Sequence, residues 1–286
     1  MKITVHHEAD RTFQSLVPRL EAIAAATVPL VDAITGLALP DEVVIHTMTV
    51  DNWLRAHQRR LMEQLAEEVA QLGVPSEVIP PVRHQVMTAL GFLQMNWPLM
   101  FGEAIDFTEG RPELVILPEA LTHAGVLDDD RLLHKLVAHE TTHLAQYATS
   151  DGEVWAMQGT FFPKLRGIAD RAYGALMEGH AYWADREITT KIFGEPVTTD
   201  EISPLASDEY RELTKLRDHN PKRAEFAQGT AEVTQIIDTL GLHAFNQVWT
   251  RPDLVPLTSE IGAPGFWPRR FSNPLPPPGL TRPAGH

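Results

Sequence analysis

Apolar residues recur along most of this chain at the three- and four-residue spacing of a helix, and only rarely in the alternation of a strand. That spacing predicts helices over residues 13–26, 52–72, 80–95, 132–147, 164–188, 204–217 and 224–240. In the first, Phe13, Leu16, Val17, Leu20, Ile23 and Ala24 form the stripe. In the second, Trp53, Leu54, His57, Leu61, Leu65, Val69 and Leu72 do so, with Asp51 as the expected N-cap and Gly73-Val74-Pro75 as the stop. Pro80-Pro81 opens the third and Asn96-Trp97-Pro98 ends it.

Strand signals are few. Residues 2–7 alternate, and residues 113–117 (Glu-Leu-Val-Ile-Leu) read as a buried strand. Residues 43–50 are β-branched and read as a strand or a connector. The expected fold is therefore mainly α (α+β), a helical domain with a small β-sheet. No repeat and no linker divides residues 1–250, which are expected to form one domain. It has a helix-rich N-terminal part (1–110), a central part with the motif described below (111–195), and C-terminal helices (196–250). From 251 to 286, nine of 36 residues are proline, which predicts an extended C-terminal segment.

Composition narrows the partners. The 286 residues carry 24 Lys+Arg against 38 Asp+Glu, a net charge of −14. No nucleic-acid partner is expected, because phosphate would be repelled. No membrane partner is expected either, because anionic lipid headgroups favour basic patches. The longest near-apolar stretch, 22–39, is broken by Pro29, Asp32 and Gly36. The first seven residues lack the apolar core of a secretory signal, so the expected location is the cytoplasm. The absence of cysteine removes disulfides, thiolate metal ligands and thiol catalysis. The oligomeric state is not readable from these features.

The chemistry concentrates in Leu132–His134 and the ten residues after it, which include His139-Glu140-Thr141-Thr142-His143 within a helical apolar pattern. Residues i and i+4 of a helix share a face, so His139 and His143 can present two imidazoles to one metal ion. Glu140, one residue on from the first ligand, can reach a metal-activated water without ligating the metal, as a general base does. Two helical imidazoles four apart can also simply pack. The amphipathic helix and the buried strand upstream favour the metal reading.

Catalytic zinc takes three protein ligands and keeps one position open. Glu178, within Leu176-Met177-Glu178-Gly179-His180-Ala181-Tyr182, is the best third candidate, since a carboxylate on an otherwise apolar helix needs a partner. Gly179 would let that helix approach the first closely. His180 is the rival ligand. It lies about 200° around the helix from Glu178, so the two cannot both ligate. Tyr182 shares the Glu178 face and is the expected donor to a developing oxyanion, with His180 as the alternative. Asp185 is expected to orient a ligating imidazole. Phe161, Phe162 and Trp155 are candidates to line the wall between the two metal helices, with ordinary core packing as the default reading.

These segments resemble a zincin-like family of actinobacterial metallohydrolases whose members are labelled as associated with deazaflavin cofactor biosynthesis. The likeness rests on His139-Glu140-Thr141-Thr142-His143-Leu144-Ala145-Gln146-Tyr147 and on Glu178-Gly179 followed by Ala181. Val50-Asp51-Asn52-Trp53-Leu54-Arg55-Ala56, Glu113-Leu114-Val115-Ile116-Leu117-Pro118 and the closing block through Trp249, Pro252, Pro256 and Trp267-Pro268-Arg269-Arg270 extend it. The resemblance implies a mostly helical zincin-like fold with one catalytic zinc ion held by His139, His143 and Glu178. The expected function is a gluzincin-type zinc hydrolase acting on a peptide or amide bond. The alternatives are a zinc enzyme transforming a small molecule in a biosynthetic pathway, and a non-catalytic zinc-stabilised interaction protein.

Overall fold

The computed structural model describes residues 1–108, 110–199, 201–217, 221–263 and 265–273. Strand β1 (Lys2–Glu8) runs through helix α1 (Leu16–Thr35) to β2 (Glu42–Met48), which pairs parallel to it with His6 opposite His46. Residues 43–50 thus divide between a strand and the start of α2 (Val50–Leu72). The N-cap of α2 is Thr49, whose hydroxyl accepts from the Asn52 amide at 3.2 Å. Asp51 lies within the first turn, where a carboxylate still favours the helix N-terminus. α3 (Ile79–Asn96) packs on α2.

β3 (Gly102–Thr108) and β4 (Arg111–Ile116) complete a sheet of order β1-β2-β4-β3, parallel except for β3, which pairs antiparallel at the edge. Within 102–108 only Ile105-Asp106-Phe107-Thr108 alternates, a run too short to mark the segment as a strand by itself. Pairing to β4 makes it a strand, and Gly110 closes the hairpin at φ 75°, a conformation that suits glycine.

One face of the sheet buries Val43, Ile45, Leu114 and Ile116 against Leu20 and Ile23 of α1 and against Leu133, Val137 and Leu144. The last three belong to a long helix reached through α4 (Pro118–His123), namely α5 (Asp130–Ser150). The Asp129 carboxylate caps α5 by accepting from the Leu132 amide, and Asp151 ends it in the left-handed region at φ 50°. α6 (Glu153–Gln158) follows, then α7 (Tyr173–Phe193), α8 (Asp208–Arg217), α9 (Pro221–Leu240), α10 (Leu242–Phe245) and α11 (Phe266–Arg269). α7 lies between α5 and α9.

Element bounds shift from those expected: the helix expected over 13–26 runs Leu16–Thr35, and the one expected over 204–217 begins at Asp208. The helix expected over 164–188 begins only at Tyr173. Upstream, Gly167 takes φ 68°, and Arg171 pairs with Leu257 in an isolated antiparallel bridge. The Ala172 amide donates to the Pro256 carbonyl and the Thr258 amide to the Asp170 carbonyl. Those bonds claim the backbone that a helix would use. The proline-rich segment, as far as residue 273, packs onto the domain, the wrapped arrangement of the two open to an extended segment. Trp249, Leu254, Val255 and Trp267 are buried in the core around α7, and the Trp267 indole donates to the Leu254 carbonyl at 2.9 Å. Residues 274–286 of the segment lie outside the described residues. The fold is mainly α with one small sheet. Among the described residues no helix is long and apolar enough to cross a membrane.

Candidate metal centre

His139 and His143 stand one turn apart on α5, their rings 5.0 Å centre to centre and nearly perpendicular. Glu178 reaches them from α7. Its carboxylate lies 3.4 Å from His139 Nε2 and 3.7 Å from His143 Nε2. One ligand atom from each of the three residues falls within 4.8 Å of the others, so the group could hold a metal ion. The donors are two imidazole nitrogens and one carboxylate oxygen, a set that suits a borderline cation such as zinc.

Each imidazole is fixed from behind. His139 Nδ1 donates to Asp185 Oδ2 at 3.0 Å, so its Nε2 faces Glu178. Asp185 is fully buried, and its other oxygen accepts from Lys135 Nζ at 2.6 Å. The Lys135 ammonium also sits over the Tyr182 ring. On the second ligand, His143 Nδ1 bonds Gln146 Oε1 at 2.9 Å. Gln146 in turn donates to the Met177 carbonyl of α7 at 3.0 Å.

Burial opposes a charged imidazole at His139, but the hydrogen bonds to Asp185 and Glu178 and the charges of Glu140 and Glu178 outweigh it and lift the pKa to about 10. At His143 burial prevails and lowers the pKa, keeping that imidazole neutral. Burial would also raise the Glu178 carboxyl, yet His139 and His143 hold it below the usual range. Glu140 is buried, which with Glu178 and Glu103 nearby pushes its pKa up to about 7, against the pull of His139 and the Ala104 amide. Glu103, on β3, is itself held by the Trp53 indole and the His57 imidazole of α2.

The structure brings His139, Glu140, His143, Glu178, Tyr182 and Asp185 together. The Tyr182 ring lies 4.6 Å from that of His139 and is 36% exposed, at the rim of the site. His180 goes elsewhere. It is fully buried on the far face of α7 among Trp183, Phe245 and Trp249, and its burial pushes the pKa down to about 3. There it lies outside the ligand group, with none of its surface exposed. Phe161 and Phe162 pack with Leu65 and Val86 of α2 and α3, away from the metal helices, whereas Trp155 on α6 packs edge-on against Tyr147 of α5 and against the core shared by α5 and α7.

Gly179 does allow a close helix approach, but to α9 rather than α5. A Cβ there would lie 2.6 Å from the Gly229 carbonyl carbon, and one on Gly229 would lie 2.3 Å from the Ala175 oxygen. Reading residue by residue did not find Lys135 and Gln146. Their helical spacing was the available signal, since they stand four before His139 and three after His143.

No family model matches this chain, and no curated protein matches it. It is similar in structure to a solved protein from Chloroflexus aurantiacus described as a "putative hydrolase with a novel fold". The TM-score is 0.61, with 20% sequence identity over 92% of each chain. At that identity the likeness establishes a shared fold.

Proposed function

We propose that this chain is a zinc-dependent hydrolase of the gluzincin type, cleaving a peptide or amide bond and related to the zincin-like family its motifs resemble. The observation that carries the reading is the convergence of His139 Nε2, His143 Nε2 and the Glu178 carboxylate beside the buried carboxyl of Glu140. A zinc ion bound there would supply Lewis acidity, bringing the pKa of its water toward ~7 and polarising the scissile carbonyl.

The side chains have separate tasks. Glu140, buried beside the three converging ligands, is positioned to accept a proton from the attacking water and return it to the leaving nitrogen. Tyr182, at the rim over His139, is the donor assigned to the developing oxyanion. Asp185 holds His139 in the tautomer whose Nε2 is free to ligate. A non-catalytic structural site would be closed by four protein ligands. Among the described residues three converge, which favours an enzyme.

The test is metal analysis with amide-substrate turnover. His143→Ala should lose the zinc. Glu140→Gln should keep it and lose turnover by roughly 10²–10⁴-fold, the usual worth of a general base. Full turnover by Glu140→Gln, or zinc content unaffected by His143→Ala, refutes the assignment. Turnover confined to single small amides, with peptide mixtures untouched, would favour the biosynthetic alternative.

A further inference from the structure

Four atoms behind His143 fix where two protons sit. A carbonyl oxygen can only accept, so the Gln146 atom 3.0 Å from the Met177 carbonyl is the amide nitrogen. The Gln146 oxygen therefore faces His143 Nδ1 at 2.9 Å, and that nitrogen must be the donor. The second hydrogen of the same amide nitrogen points at His180 Nδ1, 3.1 Å away, which must accept. His180 then carries its proton on Nε2. That atom is buried with no hydrogen-bond partner among the described residues, 0% of the residue is exposed, and the neighbouring rings are Trp183, Phe245 and Trp249.

We infer that Gln146 and His180 are positioning residues for the metal centre. Gln146 locks His143 in the tautomer that leaves Nε2 free to ligate, and His180 together with the Met177 carbonyl locks Gln146. This inference rests on the assignment of His143 as a metal ligand. It deepens that assignment by giving the two imidazoles unlike supports. A carboxylate stands behind His139 and a neutral carboxamide behind His143. A metal held this way meets one anionic support rather than two, so more of its positive charge remains for the substrate.

Long-range proton–nitrogen NMR of the unmodified chain reads the tautomers directly, with and without added Zn²⁺. The expected pattern is a proton on Nδ1 of His143 and on Nε2 of His180. Zinc affinity, measured by competition with a chromophoric chelator, should fall 10–100-fold in Gln146→Leu, as for other groups that orient a ligating imidazole. Gln146→Glu keeps the acceptor but turns a second oxygen toward Met177, so it should recover only part of the loss and move the His180 proton to Nδ1. A residue that merely packs would leave both tautomers unmoved by that exchange.

A His180 proton already on Nδ1 in the unmodified chain, or zinc affinity in Gln146→Leu within twofold of the unmodified value, overturns the inference. If Gln146→Leu does not fold, the tautomers of the unmodified chain decide alone. If the unmodified chain takes up no zinc, the hydrolase reading fails, while the tautomer pattern still tests the lock.

Discussion

Loading the metal should release a proton, and the quantity follows from His139. Before loading, its imidazole is held between Asp185 and Glu178 with a pKa raised from 6.5 to about 10. A ligating Nε2 must be bare, so the incoming ion has to displace that proton. At pH 7 the displacement spans about three pH units, or about 4 kcal/mol at 1.36 kcal/mol per unit. Apparent zinc affinity should therefore climb about tenfold per pH unit through the neutral range, roughly a thousandfold between pH 7 and 10.

The same shift sets the stability of the metal-free protein. A raised histidine pKa stabilises the fold fully below pH 6.5, and that contribution is lost as pH rises toward about 10. The melting temperature of the metal-free protein should thus fall from pH 6.5 to 9, and the gain on adding zinc should widen over the same range. Calorimetric titration in two buffers of different ionisation enthalpy counts the protons, with about one or more per zinc expected at pH 7.5. Asp185→Asn removes the strongest support of the imidazolium, so it should lower both the proton count and the slope. Zinc binding with no proton release and flat affinity from pH 6.5 to 8.5 would refute the reasoning.

Other consequences are simpler to measure. Gly229→Ala puts a methyl 2.3 Å from the Ala175 oxygen and forces α9 off α7, so it should cost about 1–3 kcal/mol in urea unfolding. An unchanged midpoint would mean the crossing is slack. Lys135→Met removes one of the two cationic partners of the buried Asp185 carboxylate and leaves the bond from His139, so it should cost less than the roughly 3–5 kcal/mol of a fully broken buried pair. Loss of stability with zinc stoichiometry retained would place Lys135 in support of the frame rather than in ligation. Trp267→Ala removes a fully buried side chain that ties the proline-rich segment to the core, with about 3–5 kcal/mol expected by thermal or urea unfolding. A native midpoint would show that the segment adds nothing to the fold.

Much of this was legible in residue spacing. His139, Glu140 and His143 declare themselves because helical geometry maps a four-residue interval onto one face, and Glu178 because a carboxylate on an apolar helix demands a partner. The helix of residues 52–72 was visible in its stripe. Elsewhere the signals are not local. β3 is a strand because β4 offers it hydrogen bonds, and the four-residue alternation of Ile105-Asp106-Phe107-Thr108 is too short to record that offer. The start of α7 depends on residues 255–258, more than 80 positions downstream, competing for the backbone before it. His180 was placed correctly about the helix axis relative to Glu178, but the aromatic rings that enclose it arrive partly from α10 and the segment after it. Its role as a support rather than a ligand needed those neighbours.

Helices α5 and α7 are fastened to one another at both ends of the site by protein alone. Gln146 reaches the Met177 carbonyl at one end, and Lys135 and His139 reach Asp185 at the other. If the proposed ion sits between them, it shares the joining of the two helices with these protein bonds, so its removal should loosen the α5–α7 contact rather than unfold the chain, unlike the ion of a zinc finger. Activity would then follow the supply of the ion more closely than the amount of folded protein does.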